Sequence, residues 1–185
     1  MLILASQSPR RRELLTLITG DFEILPSDAP EMPFTGGRVD EYVKTLARDK
    51  ARFVAEKNPR DLVIGADTVV ALSGRVLGKP RDKREARDML FALSGNTHSV
   101  FTGVCVMGKG RELIAAVETK VKFRKLTAEE ISEYVDGGEP LDKAGAYGIQ
   151  GGARGFVEEI SGDYFNVVGL PMKKTFEMLR AFTEW

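Results

Sequence analysis

The apolar residues of this chain form two kinds of pattern, and their alternation along the sequence indicates an α/β protein. Leu62–Leu72 is almost continuously apolar, as expected of a strand that is covered on both faces. In residues 38–57 the apolar positions instead recur with the period of an α-helix. Segments of both kinds follow one another along the chain, which favours a sheet with helices packed against it. We therefore predict an α/β fold.

Turn and capping signals place the remaining elements. Thr127 and Glu130 form a capping box that begins a helix. Residues 108–110 are expected to be a hairpin turn, since they lack the spacing of a P-loop. Further strands are predicted at residues 2–5, 22–26, 75–77, 99–107, 112–126, 156–160 and 164–168, and further helices at residues 9–19, 83–93 and from 171 onward. Because no internal repeat or linker divides the chain, residues 1–185 are predicted to form one domain.

The composition narrows the chemistry that this chain can perform. It has 185 residues, of which 27 are basic and 27 acidic, but it contains one histidine and one cysteine. A Cys/His zinc cluster, a disulfide framework and a redox CxxC pair are therefore excluded. Since 43% of the residues are hydrophobic, a disordered chain is excluded as well. Catalysis would have to use carboxylates, lysines, arginines and hydroxyl groups.

Two further features bear on location and partners. The first residues lack the long apolar segment of a signal peptide, and no stretch approaches the roughly 18 apolar residues of a membrane span. A cytoplasmic protein without membrane contact is therefore expected. The net charge is zero, and the first 60 residues carry ten basic and nine acidic groups. A chain with so evenly spread a charge is not expected to bind nucleic acid.

Three arginines, Arg10, Arg11 and Arg12, occupy the first turn of a predicted helix. The helix dipole already places about half a positive charge at that end, so the cluster is unfavourable unless an anion binds there. A strand, a tight Ser-rich turn and a helix N-terminus form the geometry in which backbone N–H groups bind phosphate. A cationic cluster exposed to solvent, partly neutralised by Glu13, is an equally acceptable interpretation.

Asp67 lies in the middle of the apolar run, where an unpaired carboxylate would carry a large desolvation penalty. It therefore needs a cation, several N–H donors or a shifted pKa. A strand that opens into a cleft would make this residue a metal ligand or a general base. The alternative is a structural carboxylate that bonds to a neighbouring loop.

Two lysines extend this picture. Lys50 lies on the apolar stripe of its predicted helix, which indicates either a functional cation or a stem that snorkels to solvent. Lys79 lies in a Gly-Lys-Pro loop, where an exposed surface lysine is the ordinary alternative to a functional one. His98 and Cys105 belong to no motif, so we interpret both as structural.

Several cations and one buried acid, without a nucleophilic triad, indicate a ligand that carries phosphate. These residues suit hydrolysis of a phosphoanhydride by a metal-activated water, in which positioning and electrostatic stabilisation supply most of the catalysis. A nucleotide sensor without catalysis would suit them equally well.

Five motifs, in order and in register, carry a resemblance to a known family. They are residues 4–15 (LASQSPRRRELL), 65–70 (GADTVV), 78–80 (GKP), 139–151 (EPLDKAGAYGIQG) and 162–171 (GDYFNVVGLP). On these motifs the chain resembles the Maf family of nucleoside triphosphate pyrophosphatases from end to end. Five motifs in order are far more specific than any one of them.

The resemblance implies a mixed central sheet flanked by helices, with two lobes around a cleft, a fold shared with inosine triphosphate pyrophosphatases. It implies one Maf-like domain that frequently forms a homodimer. The implied activity is that of a nucleoside triphosphate diphosphatase, a cytoplasmic hydrolase that cleaves a nucleoside triphosphate to the monophosphate and pyrophosphate. The implied cofactor is a divalent cation, Mg²⁺ or Mn²⁺.

The resemblance also implies roles for individual residues. Asp67 matches the catalytic acidic position, a proton acceptor that also suits metal binding. The positions that match the family's phosphate site are Ser6, Arg11, Lys50 and Lys79. The positions that match those tied to the choice of base are Arg10, Thr68 and Gln150.

The motifs around Thr68 and Gln150 resemble the branch of the family that acts on dTTP and UTP. A hydroxyl and an amide can complement the imide edge of uracil or thymine, because an amide offers both a donor and an acceptor. We therefore expect an enzyme that removes these nucleotides, or modified pyrimidine nucleotides, from the nucleotide pool.

A mechanistic hypothesis follows from these roles. Asp67 binds the divalent cation, with Glu31 from the Pro-rich loop as a second ligand, and orients a water for in-line attack on the α-phosphorus. Pyrophosphate leaves toward Arg11, Lys50 and Lys79. The competing function is a nucleotide-sensing regulator with little or no catalysis, since the Maf family is also linked with septum formation and cell division.

Overall fold

The computed structural model describes residues 1–182 and is a mixed α/β protein. Seven strands in that range join in one sheet. The strands are β1 (Leu2–Leu4), β2 (Glu23–Ile24), β3 (Leu62–Leu72), β4 (Arg75–Leu77), β5 (Thr97–Gly108), β6 (Arg111–Phe123) and β7 (Val157–Ser161). The helices are α1 (Pro9–Thr16), α2 (Val39–Ala55), α3 (Lys83–Leu93), α4 (Ala128–Asp136), α5 (Tyr164–Val168) and α6 (Met172–Arg180). Three short 3₁₀ turns lie between α4 and β7, at Glu139–Asp142, Ala144–Ala146 and Gly152–Phe156.

The sheet runs in the order β2-β1-β3-β5-β6-β7, and β4 pairs with β3. Strand β1 pairs in parallel with both β2 and β3, with Ile3 opposite Val63. The β3–β4 and β6–β7 pairs are antiparallel. The prediction of a mixed central sheet with flanking helices is therefore confirmed.

The chain divides into two compact units. The first comprises Met1–Thr68, Thr102–Val117 and the chain from Gly169 onward. The second comprises Val69–Phe101 and Glu118–Val168. Strands β3, β5 and β6 each contribute residues to both units. That the whole chain forms one domain stays a prediction.

In the first unit, helix α2 lies directly against the sheet. Ala47 and Ala51 of this helix are fully buried in the core of the unit. A Cβ at Gly65 of β3 would lie 2.6 Å from the backbone nitrogen of Ala51, and one at Gly103 of β5 would lie 2.5 Å from the carbonyl carbon of Val43. These two glycines therefore let the helix approach the strands more closely than a side chain would permit.

In the second unit, an aromatic cluster surrounds the single histidine. The rings of His98, Phe123 and Tyr147 make edge contacts, with centroids 4.8 to 5.4 Å apart. His98 Nε2 and the Tyr147 hydroxyl lie at a hydrogen-bonding distance of 2.7 Å. Burial lowers the pKa of His98 from 6.5 to about 4, so its ring is neutral at neutral pH. His98 and Cys105 are both buried, as a packing role requires.

Replacing His98 with Gln is expected to flatten the dependence of stability on pH. The unfolded chain takes up this proton near pH 6.5 and the folded chain only near pH 4, so the contribution of neutral His98 is complete above pH 6.5 and is lost as the pH falls toward 4. At its full extent the loss is about 3 kcal/mol. Urea unfolding of both proteins at about pH 7, 5.5 and 4.5 measures the difference. If stability fell with pH to the same extent in both proteins, His98 would not be the source of the pH dependence.

The strand predicted at residues 164–168 is wrong, since Tyr164–Val168 is helix α5. The Asp163 carboxylate accepts hydrogen bonds from the backbone N–H groups of Phe165 at 2.8 Å and Asn166 at 3.3 Å, as an N-cap does. Gly162, with φ +132°, turns the chain out of β7 just before this cap. Local capping therefore outweighs the β-branched and aromatic composition of the segment. The other predicted strands and helices are present, with ends that shift by a few residues.

Candidate active site

Strand β3 carries one buried carboxylate, Asp67, among buried apolar residues. Asp67 is only 8% exposed, although it is an acid. Lys50 of α2 donates a hydrogen bond to Asp67 Oδ1. The carboxylate thus has the cationic partner that its burial requires, and that partner comes from a helix rather than from a neighbouring loop.

The Lys50 ammonium contacts two carboxylates. It pairs with Asp67 and, at 2.5 Å, with Oε1 of Glu31. The Lys50 side chain is 15% exposed, so it does not snorkel to solvent. Glu31 is exposed and comes from the irregular segment between β2 and α2. The first unit therefore brings Asp67, Lys50 and Glu31 together, and their roles in catalysis and metal binding stay predictions.

Helix α1 carries Arg11, and its guanidinium forms hydrogen bonds within the same unit. We call this guanidinium the Arg11 fork. The Ser8 hydroxyl caps this helix by accepting a hydrogen bond from the Arg11 backbone N–H at 3.4 Å. The Arg11 side chain donates to Gly169 O from Nε at 2.9 Å, to Ser6 Oγ from Nη1 at 3.3 Å and to Thr68 Oγ1 from Nη2 at 3.0 Å. Three acceptors on separate parts of the chain thus fix the plane of one guanidinium.

Opposing charges act on Arg11. Burial lowers the pKa of its guanidinium from the usual value, the Asp67 carboxylate raises it, the neighbouring Arg10 lowers it and Glu31 raises it. Arg10 and Arg11 also lie in the first turn of α1, where the helix dipole disfavours positive charge. An anionic ligand at this end of the helix would offset the repulsion between Arg10 and Arg11 and their unfavourable interaction with the helix dipole.

Two contacts of this site were not found from the sequence. Thr102 of β5 is fully buried, and its hydroxyl lies 2.8 Å from that of Thr68. The Gly169 carbonyl accepts from Arg11 across 158 positions of the chain. The one available signal for Thr102 is a hydroxyl residue within the otherwise apolar residues 100–107, whereas nothing in the sequence assigns a carbonyl to Arg11.

Two predicted site residues, Lys79 and Gln150, belong to the second unit. Lys79 is exposed in the segment that follows β4. Next to it, the Gly78 carbonyl accepts a hydrogen bond from Gly145 N–H at 3.1 Å. Gln150 is also exposed, in the turn that precedes the last 3₁₀ segment. The roles of Lys79 in phosphate binding and of Gln150 in base choice stay predictions.

Two acids of the first unit, Asp67 and Glu31, could contribute ligands to a divalent cation, and the cation itself stays a prediction. Within residues 1–182, no group of three or more His, Cys, Asp or Glu side chains has the geometry of a metal site. Asp67 and Glu31, however, both contact one cationic group, the Lys50 ammonium. Mg²⁺ in phosphate-handling enzymes is commonly bound by one or two carboxylates, substrate phosphates and water. Asp67 and Glu31 supply such a pair.

Comparison with known proteins gives matches over nearly the whole chain. The sequence profile of the family described as Maf-like protein matches residues 1–182. A dTTP/UTP pyrophosphatase of Koribacter versatilis is 50% identical over 179 residues, which cover 97% of this chain and 93% of the relative. A dTTP/UTP pyrophosphatase of Thermococcus gammatolerans is 54% identical, over 94% of this chain and 92% of the relative.

Solved structures share the fold at low sequence identity. The Ham1 protein of Staphylococcus aureus has a TM-score of 0.51 at 15% identity, with 98% of this chain and 99% of that chain covered. A HAM1 protein from Coxiella burnetii has a TM-score of 0.50 at 16% identity, with 98% and 96% covered. These two likenesses bear on the fold alone. The family profile, the half-identical relatives and the five motifs agree, and the chain belongs to the Maf-like protein family.

Proposed function

We propose that this protein is a nucleoside triphosphate pyrophosphatase that hydrolyses dTTP and UTP to the monophosphate and pyrophosphate. It thereby removes these nucleotides from the nucleotide pool. The observation that carries the proposal is the buried Asp67 with its partner Lys50, in the same compact unit as the Arg11 fork. Relatives that share half of the residues are named for this activity. A phosphoanhydride hydrolase needs cations for the phosphates and an acid for the water, and this unit supplies both.

The phosphates bind at the N-terminal end of α1. Ser6 and Arg11 offer a hydroxyl and a guanidinium that are already joined by a 3.3 Å hydrogen bond. Lys50 adds an ammonium that is mostly screened from solvent, where a charge interacts more strongly with phosphate than it would in water. These cations are fixed before the substrate arrives, so little reorganisation is needed as charge develops on the leaving pyrophosphate.

Asp67 orients a water and takes its proton during in-line attack on the α-phosphorus. Its carboxylate is fixed by Lys50, and the bond from Lys50 to Glu31 brings the segment between β2 and α2 to the same place. A divalent cation, Mg²⁺ or Mn²⁺, bound by Asp67 and Glu31, would neutralise phosphate charge when the substrate is present. After Asp67 has taken the proton, the Lys50 ammonium stabilises the negative charge that remains on Glu31 and the phosphates.

The base is recognised by hydrogen-bonding side chains at family positions. Thr68 Oγ1 accepts from Arg11 and also contacts the Thr102 hydroxyl, so its direction is set from two sides. Arg10 and Gln150 match the family positions that are tied to the choice of base. A uracil or thymine imide edge offers one donor between two acceptors, and hydroxyl, guanidinium and amide groups each supply partners for such an edge.

Incubation of the full chain with UTP, dTTP, CTP and GTP and either Mg²⁺ or Mn²⁺ tests the proposed function. Pyrophosphate and orthophosphate are measured separately. We expect pyrophosphate from UTP and dTTP with the monophosphate as second product, and much slower turnover of GTP. Binding of these nucleotides without turnover of any of them would instead favour the regulator of septum formation and cell division.

Three further expectations accompany the proposed activity. A homodimer, a cytoplasmic location and the absence of nucleic-acid binding stay predictions, the first from the family and the last from the balanced charge. As for membrane contact, a helix of the length and apolar character needed for a span is not found in residues 1–182.

Replacing Thr102 with Val is expected to raise KM for UTP and dTTP by about two- to tenfold, the cost of one neutral hydrogen bond. Val has nearly the same shape but no hydroxyl, so Thr68 keeps its bond from Arg11 and loses its second contact. Thr102→Ser is the matched control, since it keeps the hydroxyl and is expected to retain a KM near that of the unaltered protein. Steady-state kinetics with both nucleotides measures the effect. Equal KM values for the two variants would contradict it.

A further inference from the structure

The turn that carries Gln150 is fastened at both ends by two side chains of the second unit. The Tyr134 hydroxyl accepts a hydrogen bond from the Gly148 backbone N–H at 3.2 Å and donates to Glu139 Oε1 at 3.1 Å. The other oxygen of that carboxylate, Oε2, accepts from the Gly152 N–H at 3.1 Å. One carboxylate thus binds the end of the turn directly and its beginning through Tyr134. We call Tyr134 and Glu139 the turn clamp.

The backbone of the turn wraps closely around the clamp. A Cβ at Gly151 would lie 2.6 Å from Cδ of Glu139, and one at Gly152 would lie 3.2 Å from the Tyr134 ring. The first distance means that a side chain at Gly151 would displace the Glu139 carboxylate, so the bonds of Glu139 to the turn depend on glycine at this position. Glycine at position 151 therefore fits the position of this carboxylate.

The clamp is itself fixed by the surrounding chain. Lys143 Nζ donates to the backbone carbonyl of Glu139 at 2.8 Å, and the Tyr134 ring makes an edge contact with Phe156, with centroids 5.2 Å apart. Burial raises the pKa of Tyr134, so its hydroxyl stays protonated and can both donate and accept. Tyr134 and Glu139 are both only partly exposed, whereas Gln150 is exposed.

Discrimination between uracil and cytosine requires groups of fixed polarity. Uracil and thymine present an N3–H donor beside the O4 acceptor, whereas cytosine presents an N3 acceptor beside the N4 amino donor. A primary amide can rotate by half a turn and serve either pattern, so the Gln150 side chain does not by itself choose between them. The N–H and C=O groups of a fixed backbone cannot exchange places, and they can therefore choose.

We propose that Glu139 and Tyr134 are positioning residues that fix the backbone of the Gln150 turn and thereby set the preference for uracil and thymine over cytosine. This inference rests on the proposed function. It adds two residues outside the set proposed to bind the phosphates, and it assigns to the backbone of the turn the discrimination that the Gln150 amide alone does not supply.

Two substitutions, Tyr134→Phe and Glu139→Gln, test the proposal. Tyr134→Phe removes the hydroxyl that accepts the hydrogen bond from the Gly148 N–H. Glu139→Gln replaces one acceptor oxygen of the carboxylate with a donor. The matched controls are Tyr164→Phe and Glu133→Gln, since Tyr164 and Glu133 are exposed and lie on α5 and α4. For both test variants we expect kcat/KM for UTP relative to CTP to fall about five- to tenfold, mainly through KM for UTP, whereas the controls keep the ratio.

Backbone amide exchange supplies a readout that does not depend on turnover. In Tyr134→Phe the Gly148 amide should exchange faster, and in Glu139→Gln the Gly152 amide should do so. A purely structural role would lower the unfolding midpoint and slow all nucleotides by the same factor. An unchanged UTP to CTP ratio in both variants, or unchanged exchange at both glycines, would overturn the proposal. Absence of turnover in the unaltered protein would instead refute the proposed function, and the exchange result would still stand.

Discussion

Replacing Asp67 with Asn is expected to lower kcat for pyrophosphate release from UTP and dTTP by about 10²- to 10⁴-fold, the range that a positioned general base contributes. An amide has nearly the shape of the carboxylate but cannot take a proton from water. Lys50 keeps its pairing with Glu31, so the substitution does not leave the ammonium without a partner. Steady-state release of pyrophosphate measures the effect, and thermal unfolding confirms that the variant is folded.

The exposed Asp88 of α3 provides the matched control for this experiment. Asp88→Asn removes the same charge and is expected to leave kcat unchanged, which separates loss of the base from a change in net charge. A folded Asp67→Asn variant that releases pyrophosphate at the rate of the unaltered protein would contradict the assignment of Asp67.

Replacing Gly65 with Ala is expected to affect both stability and catalysis. The added Cβ would lie 2.6 Å from the backbone nitrogen of Ala51 and 2.9 Å from its Cβ, so α2 must move away from β3. Overpacking of this kind costs about 1–3 kcal/mol. Because α2 also carries Lys50, the movement separates its ammonium from Asp67, and a displacement of about 1 Å at a catalytic group can cost about 10²-fold in rate. Urea unfolding and kcat for UTP measure the two effects.

Gly20→Ala is the matched control, because a Cβ at Gly20 would meet nothing within 4 Å and its φ is not in the left-handed region. This variant is expected to keep both stability and kcat. If Gly65→Ala lost stability but kept full kcat in its folded fraction, the close approach of α2 would matter for packing alone.

The sequence predicts the central strand and helix of the site because each is defined by a local pattern. The apolar run of β3 and the helical period of α2 are dictated by burial, and they place Asp67 and Lys50 on buried faces where charges need partners. The structure adds that these two residues pair with each other, which the sequence analysis did not predict. The resemblance to a family assigns the roles of Ser6, Arg11 and Thr68, which residue patterns alone leave open.

Other contacts depend on tertiary packing and could not be read from the sequence. The bond from Arg11 to the Gly169 carbonyl joins distant parts of the chain through a group that every residue has. The pairing of Thr68 with Thr102 depends on which strand neighbours β3, and helix α5 depends on a cap that overrides composition. Glu139 illustrates the same limit, since its bonds to the Gln150 turn depend on the path of a Gly-rich segment without a regular period.

Hydrolysis of UTP in ¹⁸O-labelled water, in the presence of Mg²⁺, tests whether the water attacks the α-phosphorus. The position of the label identifies the phosphorus that the water attacks. We expect label in the uridine monophosphate and none in the pyrophosphate, since the water oriented by Asp67 attacks the α-phosphorus. Label in the pyrophosphate, or orthophosphate as the first product, would contradict it.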